Sequence, residues 1–218
     1  DNGTCSVECY EEENAKHSVA VENGALVIKP CVQKSWYDYI GFHFGSPSVT
    51  VYLPETAYAS LLINENIGNI EMPKAFTFND VDISLRTGDV NFYASVTETL
   101  KIKTSTGNIY AENISAGALD LSVTTGKATV SNVRCAGDVT IGVSTGKACL
   151  TDISCKNVLS SGSTGDIFLD HVIAAEKFSI ERSTGKVKFI GSDAAEILVK
   201  TNTGDVTGSL LTGKVFIA

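Results

Sequence analysis

Along most of the chain, short runs of alternating apolar and polar residues stop at a Thr-Gly pair and resume after it. Leu100 and Ile102 precede Thr106-Gly107, and Ile109 and Ala111 follow, with Lys101, Lys103 and Tyr110 in between. The next copies read Leu119, Leu121, Val123, corner, Ala128, Val130, and then Val139, Ile141, Val143, corner, Ala148, Leu150. The same inward set returns as Phe178, Ile180, corner, Val187, Phe189, and as Ile197, Val199, corner, Val206. A period of two predicts strands with one buried face rather than helices. Each copy therefore supplies two short strands around a Thr-Gly corner, then a second corner near Asn113, Asn132 or Asp152.

The Thr-Gly pairs are regular enough to define a repeat. They fall at Thr87-Gly88, Thr106-Gly107, Thr125-Gly126, Thr145-Gly146, Thr164-Gly165, Thr184-Gly185 and Thr203-Gly204, with Gly68 a degenerate first copy. Successive glycines are 20, 19, 19, 20, 19, 20 and 19 residues apart. A unit of that size cannot bury its apolar face alone and must stack on its neighbours. The expected fold is an all-β, single-stranded parallel β-helix of about eight coils, right-handed as parallel crossovers generally are. At a strand spacing of ~4.8 Å, eight coils make a rod on the order of 40 Å long. A left-handed hexapeptide helix does not fit, because the period is not a multiple of six.

The two ends depart from the repeat. Val19 and Val21, Asn23-Gly24, then Leu26 and Ile28 predict a hairpin with an Asn-Gly turn. Residues 1–40 are expected to form a β cap over the first coil's edge, and residues 41–218 the solenoid body. Extending the period backwards puts Val49 at the glycine position, with Phe42 and Phe44 before it and Val51 and Leu53 after, so one more coil is expected there. The last residues, Val215 to Ala218, fall mid-strand, so the chain is expected to continue or to meet another molecule at that edge. It starts at Asp1 without a signal segment, so any targeting element is expected to have been removed or to lie elsewhere.

The Ser-Thr-Gly repeats, Val49 to Pro54 (VTVYLP) and Thr104 to Leu121 (TSTGNIYAENISAGALDL) resemble a bacterial family of β-solenoid repeat domains of unknown function that carries an adhesin label. The resemblance implies an exported, cell-surface protein, membrane-anchored in its full-length form, and brings no catalytic motif.

Charge narrows the partners. The net charge is -8, but residues 1–80 carry -7 of it and the repeat body is close to neutral. No basic stripe is available to neutralise phosphates, which argues against a nucleic-acid partner. All four prolines (Pro30, Pro47, Pro54, Pro73) precede the strong repeats, as strands bonded on both sides require. After the corner glycine come Asp89, Asn108, Lys127, Lys147, Asp166, Lys186 and Asp205. Alternating signs from Lys147 onward favour this register over a slipped one.

Candidate chemistry is sparse. A polysaccharide-acting enzyme needs acids and bases clustered on adjacent coils, whereas Arg86, Arg134 and Arg182 are coils apart and His17, His43 and His171 are scattered. Asp166 and Asp170 straddle one strand, yet Asp166 fits the lysine ladder. No catalytic, metal or cofactor residues are assigned. Cys135 and Cys155 each lie nine residues after their glycine, where other coils carry Ala116, Ala174 and Ala194. They are expected to stack, either as buried thiols or as an inter-coil disulfide. Cys149 falls outward. Cys5, Cys9 and Cys31 could close a disulfide or, with His17, hold zinc, although the spacing is loose. The threonine ladder offers two threonines per coil only at Thr104/Thr106 and Thr201/Thr203, which favours a structural corner over an ice-binding face. Trp36, Tyr37 and Tyr39 are the candidate ligand-binding residues, for a glycan or a host or envelope protein. Their competing role is to plug the cap. The expected function is a non-catalytic binding or adhesion surface of the cell envelope. A structural or sensing scaffold is the alternative, and a polysaccharide-acting enzyme the third reading.

Overall fold

The structure, a computed structural model, describes residues 4–11, 16–31 and 47–211, and every element in it is a β-strand. The chain divides into two compact units, 1–55 and 56–218, so the boundary lies fifteen residues beyond the one expected after residue 40.

The first unit holds β1 (Ser6–Tyr10), β2 (His17–Glu22), β3 (Ala25–Pro30) and β4 (Ser48–Tyr52). Strands β2 and β3 form the expected hairpin, with Glu22 opposite Ala25 across Asn23-Gly24. Both turn residues have positive φ, 52° and 79°, the backbone a two-residue type I′ turn demands. Strand β4 pairs antiparallel with β1, Val49 opposite Cys9 and Val51 opposite Val7. The extra parallel coil expected around Val49 is therefore not formed by these residues. Phe42 and Phe44 lie outside the described residues.

The second unit is the solenoid, built of β5 (Ala57–Ile67), β6 (Ile70–Met72), β7 (Thr77–Thr87), β8 (Val90–Phe92), β9 (Ser95–Cys135), β10 (Val139–Thr184), β11 (Val187–Thr203) and β12 (Val206–Leu210). The long strands are not straight rods: β9, β10 and β11 each run through corners, with register shifts at Ala174/Lys177 and Phe189/Ser192. All pairings are parallel, in the order β12-β11-β10-β9-β7-β5, with β8 joining β6 to β9. Corner glycines recur from Gly68 to Gly204, giving about eight coils of parallel sheet, as the periodicity predicts.

Registration follows the repeat. Val139 pairs with Leu119, Ile141 with Leu121, Ala148 with Ala128 and Leu150 with Val130. Farther along, Phe178 pairs with Ile197 and Ile180 with Val199. These inward columns form one continuous core in which Ile83, Leu100, Ile102, Ile109, Leu121 and Ile141 are fully buried. Fully burying a side chain of this size is worth about 1.5–3 kcal/mol, and a one-residue slip would turn every such residue to solvent. Stacked Phe178 and Phe189, 5.8 Å between ring centroids, fill the later coils, while Tyr58, Phe76 and Phe78 cluster in the first.

Two backbone corners repeat down the stack. At the first, Gly68 to Gly204 have φ between 133° and 150°, a region essentially closed to side chains. At the second, Asn113, Asn132, Asp152, His171 and Gly191 all have φ of 51–57°. Asn, Asp, His and Gly are the residues that tolerate this left-handed conformation.

The ladder after the corner glycine works differently from the expected chain of side-chain charges. The Asn69 side chain accepts from the Asp89 amide, Asp89 from the Asn108 amide at 2.7 Å, and Asn108 from the Lys127 amide. Asp166 accepts from the Lys186 amide at 2.9 Å. An acid or amide thus bridges to the backbone of the next coil, which locks register more firmly than two flexible side chains would. Lys186 and Asp205 do pair, at 3.8 Å, but Lys147 lies over the Phe168 ring, 5.1 Å from its centroid.

Candidate functional site

In each coil, inward and outward residues alternate before the corner, and one inward column is anomalous. It runs Leu85, Thr104, Val123, Val143, Gly162, Arg182, Thr201. Ile180 is buried, Glu181 exposed, Arg182 buried and Ser183 exposed, so parity turns the arginine into the solenoid. Arg182 is 2% exposed and is the largest fully buried side chain of the described residues.

Two substitutions in the preceding coil make room for it. Gly162 stands where the neighbouring coils have Val143 or Arg182, and a Cβ built there would overlap Arg182 Nη1 and the Val143 carbonyl oxygen. Ser160 replaces the apolar residue next to it and is itself buried. Arg182 Nη2 donates to Ser160 Oγ at 2.7 Å, and Ser160 Oγ donates to the Ile141 carbonyl at 3.0 Å. Nε and Nη1 of Arg182 have no hydrogen-bond partner among the described residues. Burial alone pushes the guanidinium's pKa below its ordinary value, yet arginine stays protonated in proteins. The result is a buried positive charge with one neutral acceptor and no carboxylate partner among the described residues.

Outside this column lies a polar trough of about 420 Å³. Its walls carry the hydroxyls of Ser122, Ser144, Ser161, Ser163 and Ser183, and Gly142, Gly162 and Arg182 also line it. The outward residues are small because Ser122, Gly142 and Ser161 occupy the position where Lys103, Glu181 and Lys200 stand in other coils, and Ser144, Ser163 and Ser183 the position of Arg86 and Asn202. At one end Lys200 pairs with Glu181 at 3.0 Å, so those two charges cancel within the trough.

The cysteine pair lies elsewhere in the solenoid. Ser154 pairs with Arg134, which brings the next residues, Cys155 and Cys135, one above the other. Both are buried and both are free thiols. Cys135 Sγ lies 3.5 Å from the Asp138 carbonyl oxygen and 3.6 Å from that of Gly117, and Cys155 Sγ lies 3.9 Å from that of Ile173. Burial pushes both thiols up, Cys155 to about 12 with help from Cys135 and Asp138 beside it. Such thiols are poor nucleophiles and poor metal ligands at neutral pH.

The other sequence candidates are scattered. Trp36, Tyr37 and Tyr39 lie outside the described residues. In the first unit Cys5 and Cys31 are exposed, Cys9 is half-buried, and all three are free. His17 is engaged by Glu11, 2.7 Å from Nδ1, and no group of His, Cys, Asp and Glu suited to a metal ion occurs among the described residues. Cys149 faces outward opposite Thr129. Thr104 is buried and directed to the Gly88 carbonyl, so it does not share an outer face with exposed Thr106. Asp170 pairs with His171 at 2.7 Å on the exposed corner, away from Asp166.

The Toastrack DUF4097 family model matches residues 1–146, two thirds of the chain. The chain belongs to this family. No curated protein matches the sequence. Toastrack domains are β-solenoids of unknown function, in line with the fold above, and the family supports no adhesin label. The match spans the first unit and the coils up to Gly146; Arg182, Ser160 and Gly162 lie beyond it. Among the described residues no helix is long and apolar enough to cross a membrane.

Proposed function

We propose that this Toastrack solenoid is a non-catalytic binding surface of an exported cell-envelope protein, displayed at the cell surface toward a glycan or a host or envelope protein. The observation that carries this reading is the trough lined by five serines on one face of the parallel sheet, backed by a continuous buried core. A surface built on paired strands is held rigid before a ligand arrives, so little ordering entropy is lost on binding. Serine hydroxyls both donate and accept, which suits the hydroxyl-rich face of a sugar. The near-neutral body favours such a partner over nucleic acid.

The test is a binding screen of the purified chain against arrayed glycans and matrix proteins, with and without calcium. Reproducible binding that is lost on filling the trough with Ser163→Leu supports the reading. A clean negative at high protein concentration moves the role to an internal scaffold of the envelope.

A further inference from the structure

The buried guanidinium lies beneath the serine trough, which runs across five coils from Ser122 to Asn202. Arg182 Nη1 lies against the backbone of Gly162, and both residues line the trough. Arg182 is 2% exposed, keeps two donor atoms without partners, and is met by no carboxylate among the described residues. Glu181, the acid that lines the trough, is taken by Lys200. Beneath the trough therefore lies one buried positive charge with no carboxylate partner among the described residues, in low-dielectric surroundings where a field reaches its neighbours with little screening.

A core position is an expensive place for a lone cation, and simple packing does not require it: Val143 fills the same column one coil before Gly162. Three residues must also agree to admit it, Ser160 as acceptor, Gly162 as vacated space and Arg182 itself. A counter-charge from outside supplies what the chain lacks.

We propose that the trough is an anion-selective saccharide site that seats the carboxylate of an acidic sugar over Gly162, with Arg182 providing the charge from beneath and Ser161 and Ser163 the hydrogen bonds. This deepens the binding-surface reading and rests on it. The volume of about 420 Å³ lies in the ~300–1,000 Å³ range of small-ligand clefts, which is roomier than a bare inorganic anion needs. The hydroxyls that line it suit the remainder of a sugar ring.

The experiment is calorimetric titration of the whole chain at low salt with an oligogalacturonate, a neutral galacto-oligosaccharide of equal length, and sulfate. The wild type is expected to bind the oligogalacturonate at least tenfold more tightly than the neutral sugar. Arg182→Met keeps the length and volume of the side chain and is expected to abolish that preference while leaving the circular-dichroism spectrum unchanged. Should Arg182→Met fail to fold, Ser163→Leu, an outward change, is expected to remove oligogalacturonate binding in a folded protein. Equal affinity for the acidic and neutral sugars, or an undiminished preference in Arg182→Met, overturns the site. Sulfate binding as tightly as oligogalacturonate overturns the saccharide assignment. If glycans or proteins bind the chain but none is sensitive to Arg182 or Ser163, this inference fails while the binding-surface reading survives.

Discussion

Gly107 sits directly over Gly88, so close that a Cβ on Gly107 would fall on the Gly88 carbonyl oxygen. The same contact recurs between Gly126 and Gly107 and between Gly146 and Gly126. Steric exclusion acts here together with φ values of 133–143°. The glycine column is therefore a backbone-on-backbone seam.

Gly107→Ala is expected to be severely destabilising. The forbidden φ contributes about 1–3 kcal/mol and overpacking against a rigid backbone a similar amount. Thr106→Ala, one residue away and exposed, should change stability by less than about 0.5 kcal/mol. Urea unfolding midpoints of the two variants test the contrast; equal midpoints would contradict the seam.

The column and the inward set were legible in the sequence because both repeat at a fixed spacing, and stacking forces equivalent residues into one environment. Where the corner glycine is missing, that logic fails. Val49, Val51 and Leu53 alternate like a coil strand, yet alternation alone does not choose a partner, and β4 pairs antiparallel with β1. Arg182 was missed for another reason. An arginine in a polar Glu-Arg-Ser-Thr run reads as outward, and its parity emerges only by counting from Ile180. The signal lay one coil earlier, where Ser160 and Gly162 interrupt an otherwise apolar inward column. The His171 and Gly191 corners also escaped notice, since their shared backbone conformation is hidden behind unlike side chains.

Arg182→Met should raise stability in buffer free of added anions. Replacing buried charge by an apolar side chain of similar volume is often neutral or stabilising by about 1–4 kcal/mol. Ser160 keeps its bond to the Ile141 carbonyl and is not orphaned by the change. Thermal unfolding of the two proteins measures the difference, and a marked loss of stability in the variant would show that the guanidinium has a partner it is needed for.

The stacked thiols predict a pH dependence. Burial raises Cys155 from an ordinary 9.0 to about 12 and raises Cys135 as well, so the folded state holds protons that the unfolded chain releases. Stability from this source is complete below about pH 9 and falls as pH rises toward 12, at up to about 1.4 kcal/mol per pH unit for each group. Cys155→Ala should flatten part of that decline in unfolding experiments between pH 8 and 11. Thiol titration in denaturant without reductant should count all six cysteines, since all are free. In the native protein the exposed Cys5 and Cys31 should react well before the buried pair.

The second corner supplies a sharper test of backbone conformation. Asn132 has φ of 51°, and its Nδ2 donates to Asn113 Oδ1 at 2.7 Å, the equivalent residue one coil earlier. Two separable contributions are therefore present: tolerance of left-handed backbone and an exposed side-chain hydrogen bond. Asn132→Gly removes the bond but keeps the conformation free of strain, so it should cost under about 1 kcal/mol. Asn132→Val removes the bond and also forces a β-branched residue into the left-handed region, which should cost about 1–3 kcal/mol more. That order is opposite to what strand propensity alone would give, because valine is the better strand former and glycine the worse. Chemical unfolding of the two variants decides it. A valine variant as stable as the glycine one would mean that the corner at Asn132 can relax out of its left-handed conformation.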